Sequence, residues 1–378
     1  MTGDNRSRDG VSRAHRIVVK VGSGVLSEGG ELRRRAFGDI ARQISALCDG
    51  GREVVLVSSG AIAIGSRDLG WNIPSESIPE KQAAASVGQI GLIELYKKHF
   101  ARNGRQVGQI LVTRGGLEER ERFLNARHTL FTLLSAGVVP IVNENDTVAT
   151  EEIRFGDNDN LSAMTTNLVE AQLLVILSDV DGLYDSDPRH NTEARLISEV
   201  ERITPEIEAM AGREETLLGT GGMTTKLKAA KRATLFGAGT AIINGLTPHN
   251  LLYLFDGHEL GTYFLPARDP MAARKHWIAF TKKPKGKLIL DDGAHSAVAE
   301  RGKSLLPSGI RQLDGTFERG DAVRLCDLNG KEFAKGVTNY NSAELIRIIG
   351  KNTREILQIL GYQYGDEVVH RDNLVISN

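Results

Sequence analysis

Lys20 stands near the end of a short β-branched run, Arg16-Ile17-Val18-Val19-Lys20-Val21, and Gly22-Ser23-Gly24 follows at once. Glycine there lets backbone N–H groups approach an anion, and the lysine adds a point charge. A second lysine follows a second glycine-rich loop, Gly219-Thr220-Gly221-Gly222-Met223-Thr224-Thr225-Lys226, which runs into a helical pattern ending near Phe236. Thr224 or Thr225 suits the N-cap of that helix. Lys226 then falls in the first turn, where the macrodipole disfavours a cation by about 0.3–1 kcal/mol. A phosphate bound at the helix start reverses that sign, so two lysine-plus-glycine loops imply a polyphosphate. Neither is a familiar fingerprint: Gly-x-Gly-x-x-Gly fails at Ser27. Gly302-Lys303-Ser304 ends like a P-loop but has Ala297 where the first glycine is required, so Lys303 reads as surface.

Three further segments carry polar groups, the first of them in two parts. Asn143-Glu144-Asn145-Asp146 and Gly156-Asp157-Asn158-Asp159-Asn160 both follow the apolar run Val138 to Val142. Each alone reads as a turn; together they suit the amino group of a zwitterionic substrate, a Mg²⁺ ion or a lysine. They do not form an EF-hand, because Leu161 takes its fifth position. Ser58-Ser59-Gly60-Ala61 offers hydroxyls and free N–H groups for a carboxylate or phosphate, or a cap for the next helix. Ser178-Asp179-Val180-Asp181-Gly182-Leu183-Tyr184, behind Leu173 to Leu177, suits a nucleotide base or ribose. No Ser–His–Asp or Cys–His pattern stands out, so histidine acid–base chemistry is not expected.

Apolar strands must position these loops. Arg16 to Val21, Glu53 to Val57, Gln106 to Thr113, Val138 to Val142, Leu173 to Leu177 and Thr240 to Ile243 alternate with helical patterns, one of which Gly50-Gly51 ends. Continuously apolar strands between amphipathic helices predict an α/β fold: a parallel sheet sandwiched between helical layers. Such sheets bind ligands at the carboxyl ends of their strands, where all five segments fall.

The length of 378 residues suggests two domains. The pattern changes near residue 265, and Lys282 to Lys287 reads as a linker region. Beyond it come short strands, a hairpin signal at Asn329-Gly330 and a helix over about Ser342 to Ile349. The predicted organisation is a disordered extension over 1–15, a catalytic α/β domain over 16–268, a linker over 269–282 and a small mostly-β domain over 283–378. The net charge of −1 disfavours a whole-chain nucleic-acid binder. Cys48 and Cys326 form neither a metal motif nor a disulfide framework, which fits a reducing, cytoplasmic setting. No apolar run reaches a membrane-spanning length, and the polar N-terminus lacks a secretory signal core.

In combination, Lys20 to Ser23, Ser58 to Ala63, Arg120 to Arg127, Asn143 to Asp146, Gly156 to Ser162 and Gly219 to Lys226 resemble the amino acid kinase family. The resemblance is to its branch acting on the side-chain carboxylate of L-glutamate. Gly320 to Val323, Gly336 to Tyr340 and His370-Arg371-Asp372 resemble a PUA domain. The resemblance implies that ATP, with Mg²⁺, phosphorylates glutamate in the first step of proline biosynthesis. It implies that Lys20 and Lys226 contact the transferring phosphoryl group and that Asp159 organises them. Ser59, Asp146 and Asn158 would hold glutamate. Lys20, Ser178, Asp179, Thr220, Gly221, Gly222, Met223, Thr224, Thr225 and Lys226 would hold ATP. It further implies feedback inhibition by L-proline and a homo-oligomer, a dimer or tetramer. A glutamate carboxylate is already ionised at pH 7, which agrees with the absence of histidine from the candidate loops. The alternatives are a sibling kinase for aspartate or acetylglutamate, and an RNA-binding PUA protein. The nearly balanced charge of the tail argues against strong phosphate-backbone binding.

Overall fold

The computed structural model describes residues 8–29, 31–71, 77–118, 120–149, 158–211, 222–267 and 284–376. The chain divides into two compact units, Met1–Leu117 with Arg122–Arg268, and Asp269–Asn378 with Glu118–Glu121.

The first unit is built on strands β1 (Arg16–Val21), β4 (Glu53–Ser58), β5 (Val107–Val112), β6 (Val139–Glu144), β7 (Leu173–Ser178), β8 (Glu199–Val200), β9 (Gly239–Asn244) and β10 (Thr262–Phe264). A short hairpin, β2 (Ser27–Glu28) with β3 (Glu31–Leu32), stands apart. The main sheet runs β5-β6-β4-β1-β7-β9-β10-β8. It is parallel as expected except that β10 pairs antiparallel with β9. In register, Val21 lies beside both Ser58 and Leu177, so the carboxyl ends of β1, β4 and β7 are level.

The helices are α1 (Asp9–Arg13), α2 (Ser23–Leu26), α3 (Arg34–Asp49), α4 (Ala61–Leu69), α5 (Ile78–Ala101), α6 (Arg114–Glu118), α7 (Arg120–Ser135), α8 (Asn158–Leu168), α9 (Pro205–Met210), α10 (Met223–Leu235) and α11 (Asn250–Phe255). Alternate strand residues serve two cores. Ile17, Val19 and Val21 of β1 pack with Phe37 and Ile44 of α3 and Leu92 of α5. Val18 packs on the other face with Leu161 of α8 and Leu227 of α10. Lys20 has the parity of Val18, so the pleat sends it to the face of α8 and α10.

Several expectations change here. Val11 and Ala14 are buried, and Arg8 donates to the carbonyls of Ser198, Leu260 and Gly261, so residues 8–15 are no disordered extension. Residues 1–7 and the predicted linker 269–282 lie outside the described residues. Strand β6 continues through Asn143 and Glu144, both buried, where a loop was expected. Helix α10 is capped by Gly222 with no side-chain cap, not by Thr224 or Thr225.

The second unit holds a five-stranded sheet, β11 (Gly286–Leu290), β12 (Ile310–Gly315), β13 (Ala322–Cys326), β14 (Glu332–Thr338) and β15 (Val369–Ile376), in the order β12-β11-β13-β14-β15. The hairpin expected around Asn329-Gly330 is the antiparallel β13–β14 pair. Helices α12 (Asp292–Ala299), α13 (Ser342–Ile348) and α14 (Ile356–Leu360) accompany it, and only α13 was expected. Its own core joins Leu288, Val323, Leu325, Tyr340, Leu345 and Ile356. Lys303 is exposed, as expected. Among the described residues no helix is long and apolar enough to cross a membrane.

Candidate active site

Three elements bring Lys20, Asp159 and Lys226 together from 206 positions of sequence. Lys20 comes from the end of β1, Asp159 from the first turn of α8, and Lys226 from the first turn of α10. The Asp159 carboxylate lies 2.5 Å from Lys20 Nζ and 3.7 Å from Lys226 Nζ. All three groups are buried. Thr225 Oγ1 stands 2.6 Å from the same carboxylate, through Oδ2, and 2.9 Å from the Gly222 carbonyl. Its single proton favours the shorter, charge-assisted bond. Burial alone would raise the Asp159 carboxyl, but the charges of Lys20 and Lys226 and the hydrogen bonds outweigh it and hold it low. Burial lowers the Lys226 ammonium, while Asp159 pulls it back up. The three groups together carry one net positive charge beside a helix N-terminus, an environment made for phosphoryl oxygens.

A second cluster sits at the ends of β4 and β6. Asn158 Nδ2 lies 2.9 Å from the Ser58 carbonyl, 3.0 Å from Ser59 Oγ and 2.9 Å from Asn143 Oδ1. Gly60, at φ +110°, takes the left-handed conformation that turns β4 into α4 behind Ser59. This loop is therefore a turn at a helix start without a side-chain cap. Asp146, half-buried in the turn after β6, is pushed up to about 6 by burial. Asn158 and Asp159 are adjacent at the start of α8, so this helix joins the two clusters.

Ser178, fully buried at the end of β7, donates from Oγ to Asp179 Oδ1 at 3.1 Å. A methyl group on Gly24 would stand 2.7 Å from Asp179 Oδ2, so a larger residue in the turn after β1 would have to displace the Asp179 carboxylate. Gly222, Met223, Thr224 and Thr225 form the cap and first turn of α10. Thr220 and Gly221 lie outside the described residues, as does Asp157.

The structure thus groups Lys20, Asp159 and Lys226, groups Ser59 with Asn158, and sets Ser178 and Asp179 behind the neighbouring strand. Gln89 and Tyr96 were not singled out from the sequence, and Asn143 was named only as part of a polar stretch. Asn143 accepts from Asn158, Gln89 accepts from Asn143 Nδ2 at 2.8 Å, and Tyr96 shares a 2.9 Å hydrogen bond with Ser58 Oγ. Only Asn143 had a signal, its place in an amide-rich stretch. Among the described residues no group of three or more His, Cys, Asp or Glu side chains could hold a metal. Asp159 is already held by two ammonium groups, so the described residues do not form a protein cage for Mg²⁺.

Residues 15–244 match the model of the amino acid kinase family, and residues 286–360 match that of the PUA domain. The chain is 58% identical over 370 residues to glutamate 5-kinase of Syntrophotalea carbinolica, covering 98% of this chain and 99% of that one. It is 53% identical over 371 residues to glutamate 5-kinase of Geobacter sulfurreducens, covering 98% and 100%. It is 49% identical over 371 residues to glutamate 5-kinase of Chromohalobacter salexigens, covering 98% of each. With a buried Lys–Asp–Lys cluster at the strand ends of a parallel-rich sheet and matches that span nearly its whole length, the chain belongs to the amino acid kinase family, among the glutamate 5-kinases that carry a PUA domain.

Proposed function

We propose that this chain transfers the γ-phosphoryl group of ATP to the side-chain carboxylate of L-glutamate. A carboxylate oxygen forms the new P–O bond, the bond to the β-phosphate oxygen breaks, and ADP leaves with that electron pair. The products are L-glutamyl 5-phosphate and ADP, and the step opens proline biosynthesis. The observation that carries this reading is the Lys20–Asp159–Lys226 cluster. An ionised carboxylate needs no general base. What the protein supplies is in-line positioning and charge compensation, and two lysines held by one carboxylate supply both.

In this reading Lys20 and Lys226 bind the oxygens of the transferring group, and Asp159 fixes both. Asn158, Ser59 and Asp146 bind glutamate: a carboxylate meets the Ser59 hydroxyl and nearby N–H groups, and the ammonium meets Asp146. Ser178, Asp179, Thr220, Gly221, Gly222, Met223, Thr224 and Thr225, with the two lysines, bind ATP. Magnesium enters with ATP as part of the substrate, ligated by phosphate oxygens and water.

The finer assignments follow from the same reading. L-proline has the carboxylate and ammonium that Ser59 and Asp146 would hold, so it inhibits at the glutamate site. The enzyme works in the cytoplasm as a homo-oligomer, dimer or tetramer. The catalytic domain runs over 16–268, the linker over 269–282 and the PUA domain over 283–378, where an RNA ligand is a further proposal.

The test is ADP release from Mg-ATP with L-glutamate, L-aspartate, acetylglutamate or no acceptor, with hydroxylamine trapping an acyl phosphate. Glutamate-dependent ADP with matching hydroxamate supports the proposal. Turnover with another acceptor overturns the glutamate assignment and keeps the phosphate loops.

A further inference from the structure

Helix α5 carries Gln82, Gln89 and Tyr96 at seven-residue intervals, which places them along one face two turns apart. Each ends on a different segment of the site. Gln82 Nε2 donates to the Ala149 carbonyl at 3.0 Å, in the segment that holds Asp146. Gln89 Oε1 accepts from Asn143 Nδ2 at 2.8 Å. Tyr96 OH bonds Ser58 Oγ, next to Ser59. Close packing lets α5 reach so far in. A methyl group on Gly88 would stand 1.9 Å from the Ala61 carbonyl oxygen, and one on Gly65 would stand 1.7 Å from that of Ala84.

The middle contact has a direction. The Gln89 oxygen can only accept, so it turns the Asn143 amide with its nitrogen toward α5. Asn143 Oδ1 must then face the other way, where it accepts from Asn158 Nδ2 and from the Glu144 N–H, each at 2.9 Å. Asn158 in turn must present its nitrogen to Asn143, Ser58 and Ser59, which leaves its oxygen as the acceptor on the opposite side. Gln89 holds this orientation at a cost: its own Nε2 is buried and has no hydrogen-bond partner among the described residues. A buried amide donor left unsatisfied calls for a reason. Here the reason is the acceptor that Asn143 requires.

We propose that Gln89 is a positioning residue for the amino-acid substrate. Together with the Glu144 N–H and the Ser58 carbonyl it locks two carboxamides in series, so that Asn158 offers oxygen, not nitrogen, to the substrate's ammonium group. The proposal rests on the glutamate reading above. Gln89 acts through Asn143 and touches no reacting atom.

The test is steady-state kinetics of the full chain as wild type, Gln89→Leu and Gln89→Glu, with glutamate and with glutarate, which lacks the ammonium group. Gln89→Leu should raise KM for glutamate about tenfold while kcat and KM for ATP stay within about threefold. Its preference for glutamate over glutarate should shrink by a similar factor, a change that a merely structural residue would not cause. Gln89→Glu keeps an acceptor and should return KM for glutamate to within about threefold of wild type. A KM within twofold of wild type in Gln89→Leu, or an equal rise in both KM values, overturns the proposal. So does an unchanged glutamate preference, or a Gln89→Glu enzyme as impaired as Gln89→Leu. Should Gln89→Leu fail to fold, Gln89→Glu alone decides by the same threefold limit. Wild type that does not turn over glutamate would instead overturn the functional reading itself.

Discussion

Lys20 and Asp159, contributed by a strand and a helix 139 positions apart, meet at 2.5 Å with side chains only 5% and 2% exposed. A buried pair of this kind is costly to break, because the surviving charge is left in a poor solvent. Asp159→Asn leaves two buried lysines facing a neutral amide. It should lower unfolding stability by roughly 3 kcal/mol and kcat by at least about tenfold. Urea unfolding with and without Mg-ATP checks this. The nucleotide should recover more stability in the variant than in wild type, because its phosphates replace the missing counter-charge.

Lys226→Ala tests the other arm of the cluster. Loss of one charge on the transferring phosphoryl group should reduce kcat at least about tenfold, near 1.4 kcal/mol in barrier. An unchanged kcat would remove Lys226 from the reaction.

Asp146 gives the site a pH signature. Its carboxyl is pushed up to about 6 by burial. Below that pH it becomes neutral and offers no charge to an ammonium group, so KM for glutamate should climb as pH falls through about 6 and level off above it. The stability effect has the opposite sense. The fold favours the protonated form, so stability is highest below the unfolded pKa near 4 and falls as pH rises toward about 6. Asp146→Asn should flatten both profiles. An inflection that survives in the variant would assign it to another group.

Gly65→Ala separates crowding from backbone conformation. The added methyl would stand 1.7 Å from the carbonyl oxygen of Ala84, with no side chain able to move aside. The cost should exceed the roughly 1–3 kcal/mol of ordinary overpacking. Gly104→Ala, at φ +71° with nothing within 4 Å, should cost only about 1–2 kcal/mol. Thermal unfolding of the two variants ranks them, and equal losses would contradict the helix contact.

The strand ends were legible because buried parallel strands are continuous apolar runs and their loops announce themselves by glycine and charge. Lys20 was conspicuous as a cation closing such a run. Helix α5 was not legible. It packs against α4 through Gly65 and Gly88 and exposes Val87 and Ile90 on its outer side, so apolar residues lie all around it and no single stripe stands out. The signals that remained were Pro79 near its start and Glu80 in its first turn. Asn143 was read as loop because asparagine favours turns, and here pairing with Leu111 of β5 overrides that preference. The N-cap assigned to Thr224 or Thr225 failed because helix α10 begins earlier, at Met223 behind Gly222, which leaves Thr225 inside the first turn with its hydroxyl donating to the Asp159 carboxylate. Residues 9–13 carry too few apolar positions to show a period, yet Val11 is buried in the core, with Ala14 beside it.

The backbone contact between α4 and α5 has a thermodynamic consequence. Where two helix backbones meet at Gly65 and Gly88, sliding one past the other drives backbone into backbone, which stiffens the floor formed by the turn at Ser59 and the amides behind it. A pocket assembled from mobile loops loses roughly 0.5–1.5 kcal/mol for each side chain it must immobilise on binding. In this floor that entropy has already been surrendered during folding, and an incoming amino acid meets a surface with little motion left to lose.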